Sequence, residues 1–442
     1  MKTINKLSKS HYILATLAMT QSMSCSVAAD IKENSCKIYT ASRVFDGTTL
    51  YAEEAPTSVV VDGERIYMIA PASDITVQCK KVYDLGDATI MPGFIESHAH
   101  MSFQNVPADI VLNHGITTVR DVGGLITEPT GGIGALRQVN TGPIIQAAGG
   151  YPLNLFGGHG DEEQGDNDHH AATIAVIAED AAHAIEHVEH IARSGAVAIK
   201  VALEKGGEHG APWSGGHGHD AGDTDGPVAG EWPILSEEVL TAVVTRAHEL
   251  GLPVIAHAGE QVGFDLAVKT GVDELAHIPC AEVTQESLTA AVAAGMRFQT
   301  TSDTLSSCLG ITANIHGILH AEQHLLEAGH IEKPATIIYA SEIGHDDVPY
   351  GVNGQELVNN LLNFAGHNPV DFSHVMRVIK GATSVPGALI GEQIGEPLLG
   401  TLEAGAPADI IAVKGNAFER FKLIEYPSLV VSGGEEVLNN FK

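Results

Sequence analysis

The chain has 442 residues, with 24 Lys and Arg against 55 Asp and Glu, so its formal net charge is −31. This length allows one large domain of barrel size together with a smaller domain. A surface this acidic repels nucleic acids and anionic membranes, so we expect no nucleic-acid partner. The sequence lacks an apolar run long enough for a membrane span.

The first residues have the features of a secretory signal. Three lysines precede a short apolar core from Tyr12 to Met19, and small residues at 27–29 precede a cleavage point. We therefore expect a signal peptide at residues 1–29 and a periplasmic or secreted mature protein. A disordered cytosolic tail is the alternative.

Four cysteines would remain after cleavage, namely Cys36, Cys79, Cys280 and Cys308. Export permits disulfides, and Cys36 and Cys79 form the pair to expect because both fall in one small domain. Buried free thiols are the alternative.

Short strands and turns occupy both ends of the chain. Between Cys36 and Ile90 the Asp62-Gly63 dipeptide marks a hairpin turn. Near the other end, Ala408–Val413 and Ser428–Val431 have strand character. We predict a small β-sandwich domain built from residues 30–92 and 394–442.

Strand and helix patterns alternate over residues 93–393, which is typical of parallel βα units. Ser236–Leu250 and Thr284–Ala294 are two of the predicted helices. Eight strands with intervening helices predict an α/β fold of the (β/α)8 barrel type, whose chemistry lies at the carboxyl ends of the strands. The predicted strands are Gly93–His100, Thr117–Asp121, Pro143–Ala148, Ala196–Val201, Pro253–His257, Glu274–Ile278, Arg297–Thr301 and Thr336–Ala340.

Polar side chains with metal-binding chemistry cluster at the ends of these strands. His98 and His100 are two residues apart on one strand, so they point to the same face and can bind one ion. A lone histidine after an apolar run is usually a core residue, but a set at several strand ends indicates a site. The candidate residues are His98, His100, Lys200, His257, His277 and Glu342.

With these motifs, the chain from about residue 36 onward resembles the amidohydrolase superfamily. Within it, the chain is most similar to the imidazolonepropionase-related branch, which includes Xaa-Pro and Xaa-Arg dipeptidases and ochratoxinase-like amidases. The resemblance is carried by Ser42–Gly47, Pro92–His100, Gly115–Gly123, Gly157–Gly160, Gly381–Thr383, Gly400–Gly405 and Ala408-Asp409.

The resemblance implies a site with two divalent metal ions, zinc by expectation. His98 and His100 would hold one ion with Glu342, and His257 and His277 would hold the other. Lys200 would be carboxylated at its side-chain nitrogen and bridge both ions, because a buried lysine of lowered pKa can react with CO₂. The rival interpretation of Lys200 is a salt bridge at the barrel rim.

The implied activity is hydrolysis of an amide or peptide-like C–N bond in a small molecule of the dipeptide or N-acyl amino acid type. Glu342 would act as the general acid and base. The superfamily has Asp after the eighth strand, so Asp346 and Asp347 are alternatives to Glu342. The sequence leaves open a homo-oligomer.

Tyr151 and His159, on the loop after the third strand, are candidate substrate contacts. The Gly-, His- and Asp-rich segment 206–230 follows the fourth strand and is either a lid over the site or a surface insert. Histidines on the predicted helix Ala181–Arg193 lie on one face, where a solvated or packed surface is the simpler interpretation.

Two other functions stay open at this point. The segment His257-Ala258-Gly259-Glu260 is similar to one in adenosine-deaminase-type enzymes, which suggests a mononuclear deaminase of an aminopurine-like substrate. A secreted binding protein on an inactive barrel is the second alternative. The number of metal ions per chain distinguishes the three hypotheses. Two ions would support the amide hydrolase, one the deaminase, and none the binding protein.

Overall fold

The computed structural model describes residues 36–52, 55–156, 174–206, 232–345 and 347–441. The predicted signal peptide lies outside these residues. Seven strands come first: β1 (Cys36–Ala41), β2 (Arg43–Phe45), β3 (Leu50–Tyr51), β4 (Thr57–Asp62), β5 (Arg65–Pro71), β6 (Lys81–Asp84) and β7 (Ala88–Pro92). Strands β4 and β5 form an antiparallel hairpin in which Asp62 pairs with Arg65. Gly63 makes the turn with φ of +59°, as the Asp-Gly dipeptide predicts.

Ten strands follow, and the pairings among them are parallel. They form two sheets, with the orders β10-β9-β8 and β12-β11-β13-β14-β15-β16-β17. Each of the eight predicted strands matches one of them. The strands are β8 (Phe94–Ala99), β9 (Ile116–Asp121), β10 (Arg137–Asn140), β11 (Ile144–Gln146), β12 (Ala175–Ile177), β13 (Ile199–Ala202), β14 (Val254–His257), β15 (Glu274–Leu275), β16 (Arg297–Gln299) and β17 (Ile337–Ile338).

Backbone hydrogen bonds join the smaller parallel sheet to the larger one at both edges. Beyond β10, the amide of Val197 donates to the carbonyl of Asn140 at 2.9 Å. On the β8 side, Ala99 and Ile343 form a parallel bridge, and the amide of His100 donates to the carbonyl of Ile343 at 2.8 Å. The end of β8 therefore lies beside the segment that follows β17.

Three last strands return to the beginning of the chain: β18 (Ile410–Lys414), β19 (Leu429–Ser432) and β20 (Glu435–Asn439). They belong to a sheet with the order β20-β19-β18-β7-β2-β3, in which β18 runs antiparallel to β7. A second sheet has the order β5-β4-β1-β6. Buried side chains from both sheets, among them Tyr39, Val59, Ile90, Ile410 and Val431, form one hydrophobic cluster.

Two disulfides are present in the described part of the chain. Cys36 and Cys79 are bonded, which confirms the expected pair. Cys280 and Cys308 are also bonded, a pairing that the sequence did not predict.

Buried side chains of the helices and of the parallel strands, among them Val188, Val243, Val254 and Phe298, form one hydrophobic cluster. Ser236 accepts from the amide of Val239 and Thr284 from the amide of Ser287, so both predicted helix starts are confirmed. No helix in the described ranges is long and apolar enough to span a membrane. The helices are α1 (Ala108–Asn113), α2 (Leu153–Phe156), α3 (Ala181–Arg193), α4 (Glu237–Glu249), α5 (Gln261–Thr270), α6 (Gln285–Ala293), α7 (Ile311–Glu327), α8 (Gly354–Ala365), α9 (Phe372–Gly381) and α10 (Ser384–Ile394).

Candidate metal and active site

The predicted ligand residues meet at the carboxyl ends of the parallel strands. Oε1 of Glu342 lies 4.0 Å from Nε2 of His98, 3.8 Å from Nε2 of His100 and 3.9 Å from Nε2 of His277. The ring of His257 is next to this group, with its centroid 4.9 Å from that of His277. His277 therefore faces both Glu342 and His257.

His98, His100 and Glu342 fit one divalent metal ion. Their ligand atoms lie within 4.8 Å of one another, and two ligands of a tetrahedral zinc ion are ~3.4 Å apart when the bonds are ~2.1 Å. Nε2 of His98 is buried and has no hydrogen-bond partner within the described part of the chain. A buried nitrogen without a partner costs free energy unless something binds it.

The neighbours of His98 decide which of its nitrogens is available. Nδ1 lies 3.0 Å from the carbonyl oxygen of Ala276 and 2.9 Å from Oε1 of Gln299. A carbonyl oxygen can only accept, so Nδ1 carries the proton and Nε2 presents its lone pair toward Glu342. Burial, aided by Lys200, lowers the pKa of His98 and keeps the ring in the neutral form that binds metals.

A buried ionic network holds Gln299 in place. Nε2 of Gln299 donates to Oε1 of Glu274 at 2.5 Å, and Glu274 also pairs with Arg120 and Arg297. Burial by itself would raise the pKa of Glu274, but the two guanidinium groups outweigh it and hold that pKa below its usual value. The ionised carboxylate of Glu274 therefore holds the side-chain amide of Gln299, which in turn orients the ring of His98.

Glu342 has an unusual backbone conformation, with φ of +64°. This left-handed region costs a residue other than glycine roughly 1–3 kcal/mol and is common at functional sites. Burial alone would raise the pKa of Glu342, but the neighbouring imidazole of His100, whose Nε2 is 3.8 Å from Oε1, holds it below its usual value. The carboxylate is therefore ionised and faces the histidines.

Glu96 connects the strand end that carries His98 to the segment that carries Glu342. The hydroxyl of Ser341 donates to Oε2 of Glu96 at 2.6 Å, and its amide donates to Oε1 at 3.0 Å. Oε1 of Glu96 also accepts from the amide of His98 at 2.9 Å. The residue before Glu342 is thereby fixed against β8.

Lys200 lies in β13 and only 1% of its surface is exposed. Burial lowers the pKa of Lys200 to about 7, against an opposing effect of Glu342. A substantial share of the Lys200 side chains is thus uncharged near neutral pH. In its protonated form, the amine is close enough to His98 and His277 to lower the pKa values of both rings.

Glu204, which the sequence analysis missed, contacts His257. Nε2 of His257 donates to Oε2 of Glu204 at 3.1 Å, and the same oxygen accepts from the amide of Gly259 at 3.0 Å. Since Nε2 is engaged, His257 would offer Nδ1 to a metal ion. Glu204 follows β13, so the rule that polar residues at strand ends form the site would have found it.

Thr301 supports the remaining histidine and was also missed. Its hydroxyl lies 2.9 Å from Nδ1 of His277. Thr301 has φ of +43°, a strained value for a β-branched residue. Burial lowers the pKa of His277, so this ring is neutral as well.

The other predicted contacts have different outcomes. The ring of Tyr151 lies 4.6 Å from that of His257, centroid to centroid. Asp347 binds Nδ1 of His345 at 2.6 Å and is largely exposed, while His159, Asp346 and most of segment 206–230 lie outside the described residues. The histidines of α3 contact each other, with the rings of His183 and His187 4.4 Å apart.

Glu260, on which the deaminase alternative depends, caps a helix. Its carboxylate accepts from the amides of Val262 and Gly263 at the start of α5. A carboxylate used in this way is not directed at a substrate in the site, which weakens that alternative.

Comparison with known proteins gives matches both by sequence and by structure. No protein family profile matches the chain. Ochratoxinase of Aspergillus niger is 26% identical over 202 residues, which are 44% of this chain and 39% of that protein. The match therefore spans about two fifths of the relative's length.

Solved structures extend the likeness to nearly the whole chain. A Xaa-Pro dipeptidase with bound methionine superposes with a TM-score of 0.67 at 20% identity, covering 91% of this chain and 99% of its own. The A. niger ochratoxinase structure gives 0.65 at 19%, covering 91% and 96%. Molinate hydrolase gives 0.62 at 14%, covering 90% and 94%.

The chain shares the fold of these solved structures, and of one that is described as an amidohydrolase. This confirms the resemblance that the sequence motifs predicted, including the likeness to Xaa-Pro dipeptidases and ochratoxinase. It also confirms the α/β class with parallel sheets.

Proposed function

We propose that this protein is a metal-dependent hydrolase that cleaves an amide C–N bond in a small molecule, of the dipeptide or N-acyl amino acid type. The proposal rests above all on the buried group formed by His98, His100 and Glu342. It is supported by the neutral state of His98 and by the names of the similar proteins, which describe hydrolytic enzymes.

Two divalent ions, zinc in this proposal, would lie at the strand ends. His98, His100 and Glu342 would hold one of them, and His257 and His277 the other, with a carboxylated Lys200 between. When bound, such ions would activate a water molecule and polarise the substrate carbonyl.

Glu342 would move the proton in this reaction. Its carboxylate is ionised at neutral pH and within 4.0 Å of three histidine nitrogens, so it lies where an attacking water would be deprotonated. The same carboxyl group would then protonate the leaving nitrogen. Its rigid position, fixed through Ser341 and Glu96, keeps the proton-transfer distance short.

We extend the proposal to architecture and location. The parallel strands would close into a (β/α)8 barrel over residues 93–393, which the bonds joining the two parallel sheets at both edges support. The strands of both chain ends would make the β-sandwich domain, as the pairing of β7 with β18 suggests. Residues 1–29 would direct the protein to the periplasm or the medium.

A screen of dipeptides and N-acyl amino acids on zinc-loaded protein tests this function. We expect turnover that chelator abolishes and added zinc restores, with about two ions per chain by elemental analysis. Ammonia release from aminopurines with one ion per chain, and no amide cleavage, would support the deaminase instead. Protein that binds no metal and turns over nothing would support the binding protein.

A further inference from the structure

A cavity opens beside the candidate metal residues. Glu342 and His100 form one wall, and Phe103, Tyr151 and Phe156 line another. The cavity is next to the carboxylate that would protonate the leaving group. Part of the substrate adjacent to the scissile bond must therefore occupy it.

The aromatic wall is a preformed surface for a flat ring. Phe103 and Phe156 meet edge to face with centroids 5.8 Å apart, and Tyr151 meets Phe156 in the same manner at 6.3 Å. Ile144 and Ile174, each only 3% exposed, complete the apolar lining. Aromatic groups at such spacings favour a further ring over an aliphatic or polar group.

The charge of the lining favours a neutral group. Among the described residues that border the cavity there is no lysine or arginine that could pair with an anionic group. A carboxylate in this apolar space would lose its hydration without gaining a cationic side chain from the lining, which is costly. The protein as a whole also carries a large negative charge.

We propose that the substrate carries a neutral aromatic ring next to the scissile amide, and that Phe103, Tyr151 and Phe156 bind this ring. The inference rests on the proposed amide hydrolysis and narrows its substrate class. Phe103 and Phe156 are specificity-determining residues in this proposal, because they contact the ring and none of the reacting atoms.

Matched amide pairs test the proposal by kinetics. One pair places phenylacetyl or acetyl on the acyl side of glycinamide, and another places benzylamine or methylamine on the amine side of an acetyl group. In at least one pair we expect kcat/KM for the ring compound to be about tenfold or more higher. A para-carboxylate on that ring should remove most of the advantage.

Variants identify the residues responsible. Phe103→Ala and Phe156→Ala should each reduce the ring preference about tenfold, through a lower kcat/KM for the ring compound. Phe372→Ala, which removes a half-exposed phenylalanine at the start of α9, is the matched control and should change neither. Equal kcat/KM values within both pairs would overturn the ring site while leaving amide hydrolysis intact.

Binding of ketones gives a readout that needs no turnover. Calorimetry should show that 1-phenyl-2-propanone binds at least tenfold more tightly than acetone, and that Phe156→Ala removes the difference. If no amide is cleaved but this difference is found, the proposed function fails and the ring site stands. If both ketones bind equally to wild type, the ring site is wrong.

Discussion

At the scale of single residues, Glu342 combines a strained backbone with a carboxylate held among histidines. Its φ of +64° is maintained because Ser341 is clamped by Glu96 on one side, and Ile343 bridges Ala99 on the other. Asp347 has no such constraint and lies at the surface with His345. The geometry therefore favours Glu342 as the acid after the eighth strand.

Glu342→Gln should keep most of the bound metal but lower kcat by about 10²–10⁴-fold, because an amide cannot accept and return the proton. Asp347→Asn should stay within about threefold of wild type, since its partner His345 remains in place. Steady-state kinetics with elemental analysis of each variant checks this. Wild-type turnover in Glu342→Gln, combined with an inactive Asp347→Asn or Asp346→Asn, would move the catalytic role to that aspartate.

Lys200→Ala should lose the bridging group and with it most of the second ion and most of the activity. Added acetate or propionate should restore part of the turnover, because a free carboxylate can occupy the space of the missing carbamate. NMR of wild type equilibrated with ¹³C-labelled bicarbonate should show a carbamate signal that Lys200→Ala lacks. Fully metallated, active wild type without that signal would refute the carboxylation; Lys269→Ala, at an exposed ion pair, is the control.

The expectation that functional residues lie at the carboxyl ends of the strands found the central residues of the candidate site. It found few of the residues that hydrogen-bond to them and hold them in place. His98, Lys200 and His257 each follow or lie within an apolar run, so one sequence segment suffices to propose them. Gln299 and Glu96 matter only because strands distant in sequence are neighbours in space. Such contacts depend on the lateral order of strands, which a single sequence does not specify.

At the scale of elements, the eight predicted strands exist but most are shorter. The third predicted strand is Pro143–Ala148. In the structure this strand is β11, and a separate strand, β10, precedes it and pairs with β9, with Arg137 opposite Thr118. The two strands belong to different sheets, and the sequence pattern did not indicate β10.

The disulfide Cys280–Cys308 links the segment that follows β15 to the residues just before α7. The carbonyl of Cys280 also accepts from the amide of Gly310 at 2.8 Å, and the side chain of Asn314 donates to the carbonyl of Pro279 at 2.9 Å. Because Cys280 is three residues after His277, this closure fixes the strand end that presents a candidate ligand. Cysteine spacing could not reveal the pair, since its members are brought together by packing.

Replacing both Cys280 and Cys308 by alanine should lower the free energy of unfolding by about 2–4 kcal/mol, because a closed loop restricts the unfolded chain. We also expect weaker retention of metal during dialysis, since the segment after His277 becomes looser. The double variant of Cys36 and Cys79 is the control, with a comparable loss of stability and unchanged metal content. Urea unfolding measures the stability of each variant, and elemental analysis measures its metal content. Equal metal retention in the two variants would show that the Cys280–Cys308 disulfide does not support the metal site.

At the scale of the whole molecule, the parallel and antiparallel parts are joined by a buried ion pair. Arg137, in β10, lies with Nη2 3.3 Å from Oδ2 of Asp409, just before β18, and their side chains are 13% and 5% exposed. Oδ1 of Asp409 also accepts from the amide of Gly433 at 2.7 Å. The carboxylate of Asp409, just before β18, thus connects strand β10 with the turn between β19 and β20.

In the sequence, the Ala408-Asp409 motif contributes to the family resemblance and begins the predicted strand Ala408–Val413. Its physical role follows from the pairing of β18 with β7, which brings residues more than 300 positions apart into one sheet. Local patterns predict each of these strands, but the partner of each is decided by how the two ends of the chain pack.

Asp409→Ala should lower the free energy of unfolding by about 3–5 kcal/mol, because it leaves the buried guanidinium of Arg137 and the amide of Gly433 without their acceptor. Lys269→Ala, which breaks an exposed pair with Glu237, should cost less than about 1 kcal/mol. Urea unfolding at neutral pH compares the two. If the lost stability comes from the unpaired guanidinium of Arg137, adding Arg137→Met to Asp409→Ala should recover part of the free energy of unfolding, since that charge is removed. A double variant no more stable than Asp409→Ala would instead assign the loss to the Gly433 hydrogen bond and the turn it holds.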